Sequence, residues 1–411
     1  MQKTTFRQLP ATNQRGILTV ITLWFLMNAG FFMLIPLLSI HFVDELGWAA
    51  AFIGLVLAVR QFTQQGLTMF GGALSDRFGA KSLIMIGVFI RSISFVMIGF
   101  STTQPLLLTA GFLAALGGAF FDAPGKAVLA ALTPEEMISD IYAKVGILQN
   151  AARMIGPVIG TLLIAWSFSV VGMTAAAFFF VAFIVAGIGL PNVAVSTGNQ
   201  SVSKGLKIAF KDRAFVTYTI LMMGFWFMWV QISIALPLKA KYLTDSTNSV
   251  GMLLLVNGII AMTLQVPALK LAQRYLLPLP MLILGVMSMA FGLGSVALVH
   301  NVIQLYLCIF FFALGTVLVT PNAQTVAATM ANPKARGAYF GVNSLALAIG
   351  GGIGQITGGT MVDLASAWQF PALPWLVSAI IGTSAAIGLV TFYKRNRQAV
   401  TPAALLVASG D

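Results

Sequence analysis

The segment 58–68 places polar side chains inside an otherwise apolar run. Arg60, Gln61 and Gln64 are spaced so that they share about one face of a helix. An arginine in such a run needs a partner or water, and no acidic residue within an apolar run is evident to neutralise Arg60. The pattern predicts a water-filled cavity that suits an anionic or zwitterionic ligand. Alternatively, carbonyl and amide groups satisfy the arginine.

Further polar and aromatic residues lie within apolar runs and are candidates for the same cavity. Arg153 and Arg91 raise the same question as Arg60, although Arg91 has the alternative of snorkelling to the membrane surface. For the amides and tryptophans, helix–helix bonding or anchoring at the membrane interface competes with ligand contact. These further candidates are Asn28, Gln149, Asn150, Trp226, Trp229, Asn257 and Asn343.

A charged turn follows the polar segment, with the spacing Gly72-x-x-x-Asp76-Arg77-x-Gly79-x-Lys81. Gly72 permits two helices to approach closely, and Gly79 can supply a turn with positive φ. The turn is therefore predicted to be a hinge on the cytoplasmic side. The alternative is a generic charged loop that only sets topology.

Asp122, in the sequence FFDAPGK, is a carboxylate near the end of an apolar run, where a charge is costly unless it is paired. The expected partners are Arg77 and Lys81. Asp122 then either braces the charged turn or takes up a proton and releases that brace. His41 and Asp44 follow the first predicted span at its expected external end, and they are further candidates for a coupled proton.

The sequence Gly156-Pro157-x-x-Gly160 lies in the fifth apolar run. Glycines four apart allow close helix contact, and Pro157 removes one backbone hydrogen bond, which predicts a kink. Ordinary packing of small residues is the alternative. The two glycines have counterparts in Gly350 and Gly354, and this is one sign of an internal repeat.

Composition places these residues in a membrane. Of 411 residues, 58% are hydrophobic and 8% charged, and the mean hydropathy is +0.93, whereas globular proteins carry roughly 25% charged residues. The chain has room for about twelve helices of roughly 20 residues. The predicted spans are 16–40, 50–74, 82–101, 105–125, 142–166, 168–190, 214–238, 250–272, 279–299, 303–325, 338–362 and 373–393.

Charge sets the expected orientation. The net charge is +12, but most of the 23 basic residues fall in the termini and in alternate loops rather than in one patch. This positive-inside bias predicts cytoplasmic termini and argues against a nucleic-acid partner. The polar, basic segment 191–213 divides the chain into a six-helix bundle at 1–190 and another at 214–393, followed by a cytoplasmic tail at 394–411.

No sequence feature supports an enzyme, a metal site or a cofactor. There is no phosphate-binding loop, no zinc spacing and no nucleophile–base arrangement, and the single Cys308 excludes an intrachain disulfide. Without an ATP-binding loop, energy for solute movement must come from a gradient.

The charged turn resembles the signature loop of the major facilitator superfamily, although Ala80 stands where that family usually has a basic residue. The core Gly156-Pro157-x-x-Gly160 resembles the antiporter signature of its drug-exporting branch. GFFMLIPLLSIHFVDELGW at 30–48 and RQFTQQG at 60–66 are similar to the MdtH group of multidrug exporters.

This resemblance implies an all-α fold of twelve transmembrane helices and drug–proton antiport at a bacterial inner membrane, with a monomer expected. It also implies that Asp76, Arg77 and Asp122 form a gate and that Arg60 and Gln61 line the cavity. Two alternatives stay open, namely an exporter of one anionic or zwitterionic metabolite, such as a siderophore or organic acid, and a membrane sensor that has lost transport.

Overall fold

The computed structural model describes residues 6–68, 74–75, 78–192, 202–332 and 335–400, and every regular element in these ranges is helical. The α-helices are α1 Ala11–Leu34, α2 Ala50–Thr68, α3 Ala80–Gly99, α4 Gln104–Leu132, α5 Glu135–Leu163, α6 Phe168–Gly189, α7 Val202–Lys211, α8 Arg213–Trp229, α9 Ala235–Thr244, α10 Asn248–Gln273, α11 Pro278–Ser295, α12 Val302–Met330, α13 Arg336–Leu345, α14 Gly352–Ala367 and α15 Leu373–Val400. The predicted all-α architecture is confirmed.

Ten helical segments of the described residues are long and apolar enough to cross a membrane. Three of them join neighbouring elements, because α1 continues to Glu45, α8 runs on into α9, and α13 runs on into α14. The two remaining predicted spans correspond to α2 and α5, which are helical but more polar, since they carry the arginines and amides singled out above. The prediction of twelve spans is compatible with this count.

Contacts divide the chain into two compact units. Unit 1 comprises Met1–His41, Val59–Gly198 and Val250–Leu255, and unit 2 comprises Phe42–Ala58, Asn199–Ser249 and Val256–Asp411. In unit 1, α3 packs on α4 and α6, while α1 packs on α5 and α6. In unit 2, α11 packs in the same way on α12 and α15, while α8 packs on α15 and on the π-helical turn Ala346–Gly351.

Close glycine contacts recur at matching positions in the two units. In unit 1, a Cβ on Gly156 would lie 2.7 Å from the carbonyl oxygen of Ala29, so α5 lies directly on the backbone of α1. In unit 2, a Cβ on Gly350 would overlap the carbonyl oxygen of Met223. The offsets agree, since 350 − 156 and 223 − 29 both equal 194.

A second pair of contacts repeats with its own offset. A Cβ on Gly87 of α3 would lie 2.7 Å from the Gly117 oxygen of α4, and one on Gly285 of α11 would lie 2.9 Å from the Gly315 oxygen of α12. Here 285 − 87 and 315 − 117 both equal 198. Both sets agree with the internal repeat that the sequence predicts.

Candidate functional site

Unit 1 holds a cluster of buried and half-buried polar side chains from three helices. We call it the Arg60 cluster, and it consists of Arg60 and Gln64 on α2, Arg91 on α3 and Asp122 on α4. The Nη1 atom of Arg60 donates to Gln64 Oε1 over 2.8 Å, and Gln64 Nε2 donates to Asp122 Oδ2 over 2.7 Å. The Nη2 atom of Arg60 donates to Gln61 Oε1 over 3.2 Å. Gln64 therefore bridges an arginine and a carboxylate.

The two arginines of the cluster share one aromatic ring. The Cζ atoms of Arg60 and Arg91 lie 4.8 Å and 5.2 Å from the ring centroid of Phe31, and Arg91 also lies 5.2 Å from that of Phe179. Both are within the distance at which an aromatic ring attracts a cation. These contacts place α1, α2, α3 and α6 around the charged groups.

Charge within the Arg60 cluster is unbalanced. Asp122 attracts both guanidinium groups, and Arg91 repels Arg60. Two arginines and one aspartate leave one positive charge in excess. The Nε atoms of Arg60 and Arg91 are buried and have no hydrogen-bond partner among the described residues. An excess of positive charge with unused donors is able to hold an anionic or polar group of a ligand.

Small residues make room for the cluster. The close contact of Gly87 with Gly117 brings α3 against α4 beside Arg91, whose backbone N would lie 3.0 Å from a Cβ on Gly117. A Cβ on Gly118 would lie 2.8 Å from Cδ of Gln64 and 3.1 Å from Nη1 of Arg91. Any side chain at position 118 would therefore displace the groups that carry the hydrogen bonds.

Asp122 has a partner that the sequence does not predict. The carboxylate accepts a hydrogen bond from Gln64, which is 58 positions away. Arg77 lies outside the described residues, so the expected pairing of Asp122 with Arg77 and Lys81 stays a prediction. The expectation that Arg60 lacks an acidic neighbour is wrong, since Asp122 reaches it through Gln64. Neither contact has a local signal, because both depend on how α2 packs against α4.

Arg91 does not snorkel. Its side chain is packed between Phe31 and Phe179, and only 5% of its surface is exposed. The sequence points to Arg91 as one of several arginines in apolar runs, yet its place in the cluster follows from the glycine contact between α3 and α4.

The charged turn lies mostly outside the described residues. Gly72, Asp76 and Arg77 fall there, so the predicted gate remains a prediction. Gly79 has φ +78°, the positive value expected of it, and it directly precedes α3. Lys81 lies in the first turn of that helix.

The predicted cavity residues of α1 and α5 are distributed along those two helices. Asn28 donates to the Trp24 carbonyl oxygen of its own helix over 2.7 Å. Arg153 lies 5.6 Å from the ring centroid of Phe32, and Gln149 and Asn150, on the same helix, are half-buried.

Gly156 and Gly160 bring α5 against α1. A Cβ on Gly160 would overlap the carbonyl oxygen of Met33, and Pro157 lies within the continuous helix α5. These glycines therefore serve close packing, and the packing sets Arg153 beside α1.

Sequence comparison identifies the family of this chain. The sequence model of the Major Facilitator Superfamily matches residues 20–277 and 227–406. The chain belongs to the Major Facilitator Superfamily. It is a transporter and not an enzyme, as its sequence indicates.

Two curated relatives match nearly the whole length of the chain. The chain is 35% identical to the multidrug resistance protein MdtH of Photorhabdus laumondii over 373 residues, which are 91% of this chain and 92% of the relative. It is 34% identical to the protein of the same name from Salmonella paratyphi B over 382 residues, 92% of this chain and 95% of that one.

Solved structures of further transporters share the fold. The nucleoside transporter NupG aligns with a TM-score of 0.75 at 15% identity over 92% of this chain and 99% of that one. A peptide transporter POT in complex with sulfate aligns with a TM-score of 0.79 at 13% identity over 97% and 98%. Identity this low supports the major facilitator fold alone.

The major facilitator repeat lets the two units be compared at the site. The positions 198 after Arg91 and Asp122 are Met289 and Thr320. A Cβ on Gly315 would lie 2.8 Å from the Cβ of Met289, which matches the contact of Gly117 with Arg91. The charges of Arg91 and Asp122 therefore have no counterpart at these positions of unit 2.

Unit 2 carries the remaining predicted cavity residues. The rings of Trp226 and Trp229 are 5.6 Å apart in an edge-to-face arrangement. Asn257 Oδ1 is buried without a hydrogen-bond partner among the described residues, and Asn343 is half-buried. Gln231 donates to the carbonyl oxygen of Phe227, one turn earlier, and to that of Gly354 on α14, so the second bond joins two helices.

The two further proton candidates lie in the π-helical segment Ser39–Glu45. His41 stacks on Phe168 with ring centroids 4.1 Å apart. Asp44 forms an ion pair with Lys241, and its side chain is 47% exposed. Within the described ranges, no group of three or more potential metal ligands occurs.

Proposed function

We propose that this chain is a secondary active exporter of small amphipathic drugs, driven by proton antiport through alternating access. The curated relatives are named multidrug resistance proteins, and they match the chain over nine-tenths of its length. The observation that carries the proposal is the hydrogen bond from Gln64 to Asp122, because Gln64 also accepts from Arg60 and so connects a group that can bind a proton to an arginine that can face a substrate.

Asp122 is proposed to carry the coupled proton. When it is ionised, the carboxylate accepts the Gln64 hydrogen bond and offsets one of the two arginine charges. When it is protonated, that offset is lost, and the cluster gains one positive charge. Proton binding therefore changes the free energy of any charged substrate near Arg60, and a ligand shifts a conformational equilibrium only through such a difference between states.

The sign of that change separates substrate classes. A cationic drug binds better when Asp122 is ionised, so the drug and the proton exclude each other, as antiport requires. An anionic substrate binds better when Asp122 is protonated, which favours joint movement. Antiport through this residue is therefore an argument for cationic amphipaths, with Phe31 and Phe32 supplying aromatic surface.

Export of one anionic or zwitterionic metabolite is the second candidate. The excess positive charge of the Arg60 cluster and its unused Nε donors favour it. A single anionic group held by both arginines would replace the missing counter-charge. For such an exporter, the proton site would have to lie elsewhere, with His41 and Asp44 as the candidates.

The remaining elements of the proposal rest on the sequence. The turn that contains Gly72, Asp76 and Arg77 would close the cytoplasmic side by setting Asp76 against the N-terminus of a helix, whose dipole favours a carboxylate. The charge pattern supports cytoplasmic termini in a bacterial inner membrane. The transporter is proposed to act as a monomer.

Binding measured at two pH values tests the proposal. Ethidium serves as the cationic probe and an anilinonaphthalene sulfonate as the anionic one, each titrated against purified protein below and above neutral pH. Drug–proton antiport predicts that ethidium binds more tightly at the higher pH and that Asp122→Asn removes this dependence. Tight binding of the sulfonate, strongest at the lower pH and with no ethidium binding, would favour the exporter of an anionic metabolite.

Drug susceptibility and solute exchange separate a multidrug exporter from a single-metabolite exporter and from a sensor. Expression in a pump-deficient host should raise resistance to some cationic, zwitterionic or neutral drugs, and no change across all three classes would refute the multidrug assignment. Counterflow of any solute in proteoliposomes would eliminate the non-transporting sensor.

A further inference from the structure

The first turn of α2 is held by a carboxylate from another helix. Asp363 of α14 accepts the backbone N–H of Ala50 through Oδ1 over 2.9 Å and that of Ala51 through Oδ2 over 2.7 Å. The first N–H groups of a helix have no partner within the helix, and hydrogen bonds to a charged acceptor are among the strong ones. All three residues belong to unit 2.

Glycines bring the same two helices into backbone contact. A Cβ on Gly54 of α2 would overlap the carbonyl oxygen of Gln355, and a Cβ on Gly359 of α14 would overlap the carbonyl oxygen of Ala50. The close approach thus continues from the Asp363 contact toward the middle of both helices. The carboxylate and the two glycines fix the first part of α2 to α14.

Helix α2 is shared between the units. Its residues up to Ala58 are assigned to unit 2, and those from Val59 onward, with Arg60 and Gln64, to unit 1. The helix is continuous from Ala50 to Thr68. At 1.5 Å per residue, the nine residues from Ala51 to Arg60 span about 14 Å. One helix therefore connects the Asp363 contact to the candidate site.

The corresponding contact of the first repeat has no carboxylate. Val250–Leu255, at the start of α10, belongs to unit 1, where a Cβ on Gly251 would overlap the Thr161 hydroxyl of α5. The residue 194 positions before Asp363 is Ser169, which donates to the Gly99 carbonyl oxygen over 2.8 Å. The charged contact is thus special to α2 and α14.

We propose that Asp363 is a positioning residue of the transport cycle, a latch that holds the first part of α2 on α14 and opens when α2 moves with unit 1. This inference rests on the proposed alternating access. The exposed ion pair of Asp44 with Lys241 joins the same region of unit 2, and exposed pairs of this kind contribute little. Of the two charged contacts, the latch therefore depends mainly on that of Asp363.

Two cysteine reporters test the latch in a Cys308→Ala background. Ala58→Cys lies two turns after Ala50 on the helix face of Gly54, and Ala58 is 1% exposed. Gly146→Cys lies on α5, where an added Cβ meets nothing within 4 Å. Gly146 precedes Thr161 by 15 residues, about 22 Å along the helix, so it reports on the end of α5 that is remote from the Gly251 contact. Maleimide labelling rates are measured in proteoliposomes.

In the Asp363→Ala variant, maleimide should label the Ala58→Cys reporter about tenfold faster than in the parent, which corresponds to about 1.4 kcal/mol. The labelling of the Gly146→Cys reporter should become slower. Asp363→Asn should give an intermediate change, because its amide oxygen still accepts a hydrogen bond but carries no charge. Asp245→Asn is the matched control, an exposed carboxylate at the end of α9, and should leave both rates unchanged.

Unchanged labelling in both Asp363 variants would overturn the proposal. Faster labelling at both reporters would also overturn it, since that pattern indicates local loosening rather than a shift between two states. If Asp363→Ala fails to elute as a single species, Asp363→Asn decides the outcome. Labelling needs neither substrate nor gradient, so absence of ethidium exchange by the parent would count against the proposed function and leave the latch result standing.

Discussion

Replacing Asp122 by asparagine should abolish the effect of a pH gradient on drug efflux while leaving the fold intact. Asparagine has nearly the same shape, and its amide oxygen can still accept the hydrogen bond that Gln64 donates over 2.7 Å. What disappears is the charge and the ability to bind a proton. Arg60 and Arg91 then lose the charge of a carboxylate that attracts both of them.

The size of the effect follows from the contact that is weakened. A hydrogen bond to a charged group contributes about 1.5–3 kcal/mol, compared with about 0.5–1.5 kcal/mol for a neutral one. The difference between ionised and protonated Asp122 is therefore about 1–2 kcal/mol from this bond alone. A coupling of this order corresponds to roughly a 5- to 30-fold change in substrate affinity between the two states of the residue.

The assay compares ethidium efflux from proteoliposomes with and without an imposed pH gradient. In the parent protein the gradient should stimulate efflux, and in Asp122→Asn the two rates should be equal. Thr320→Val, at the position 198 residues later in α12, is the control and should keep the stimulation. Stimulation that persists in Asp122→Asn would refute the reasoning and reduce Asp122 to a brace.

Three further substitutions test the packing that supports the site. Gly160→Ala should lower the melting temperature in detergent through a cost of about 1–3 kcal/mol, because its Cβ would overlap the Met33 carbonyl oxygen, while Gly146→Ala, in open space, should not. Gly118→Val should abolish ethidium binding in a titration, since the new side chain displaces the Arg60 cluster, while the variant still elutes normally from a sizing column. Normal ethidium binding would show that the cluster is not the site. Phe31→Leu removes the ring that faces both guanidinium groups and should cost about 0.5–2 kcal/mol in a melting experiment.

The sequence predicts the polar face of α2 because that information is local. Arg60, Gln61 and Gln64 stand out against an apolar background, and helical periodicity puts them together. Their partners could not be predicted in the same way. Asp122 is 58 positions from Gln64, and Arg91 reaches the cluster because Gly87 lets α3 pack against α4.

Asp363 illustrates the same limit more strongly. It lies 313 positions from Ala50, and the donors that it binds are backbone N–H groups, which every residue type except proline carries. No residue type in the sequence therefore identifies them. The nearest local signal is Gly359, four residues earlier and therefore on the same face of α14. That spacing indicates close helix packing but does not say which helix is the neighbour.

Proton movement during drug movement is the most direct test of the central claim. Proteoliposomes that contain a pH-sensitive dye receive an inward ethidium gradient with no imposed pH gradient, and protein-free vesicles serve as the control. Drug–proton antiport predicts that the interior becomes more alkaline as ethidium enters, and that Asp122→Asn shows no such change. Protein-dependent ethidium entry with a constant or more acidic interior would contradict the account.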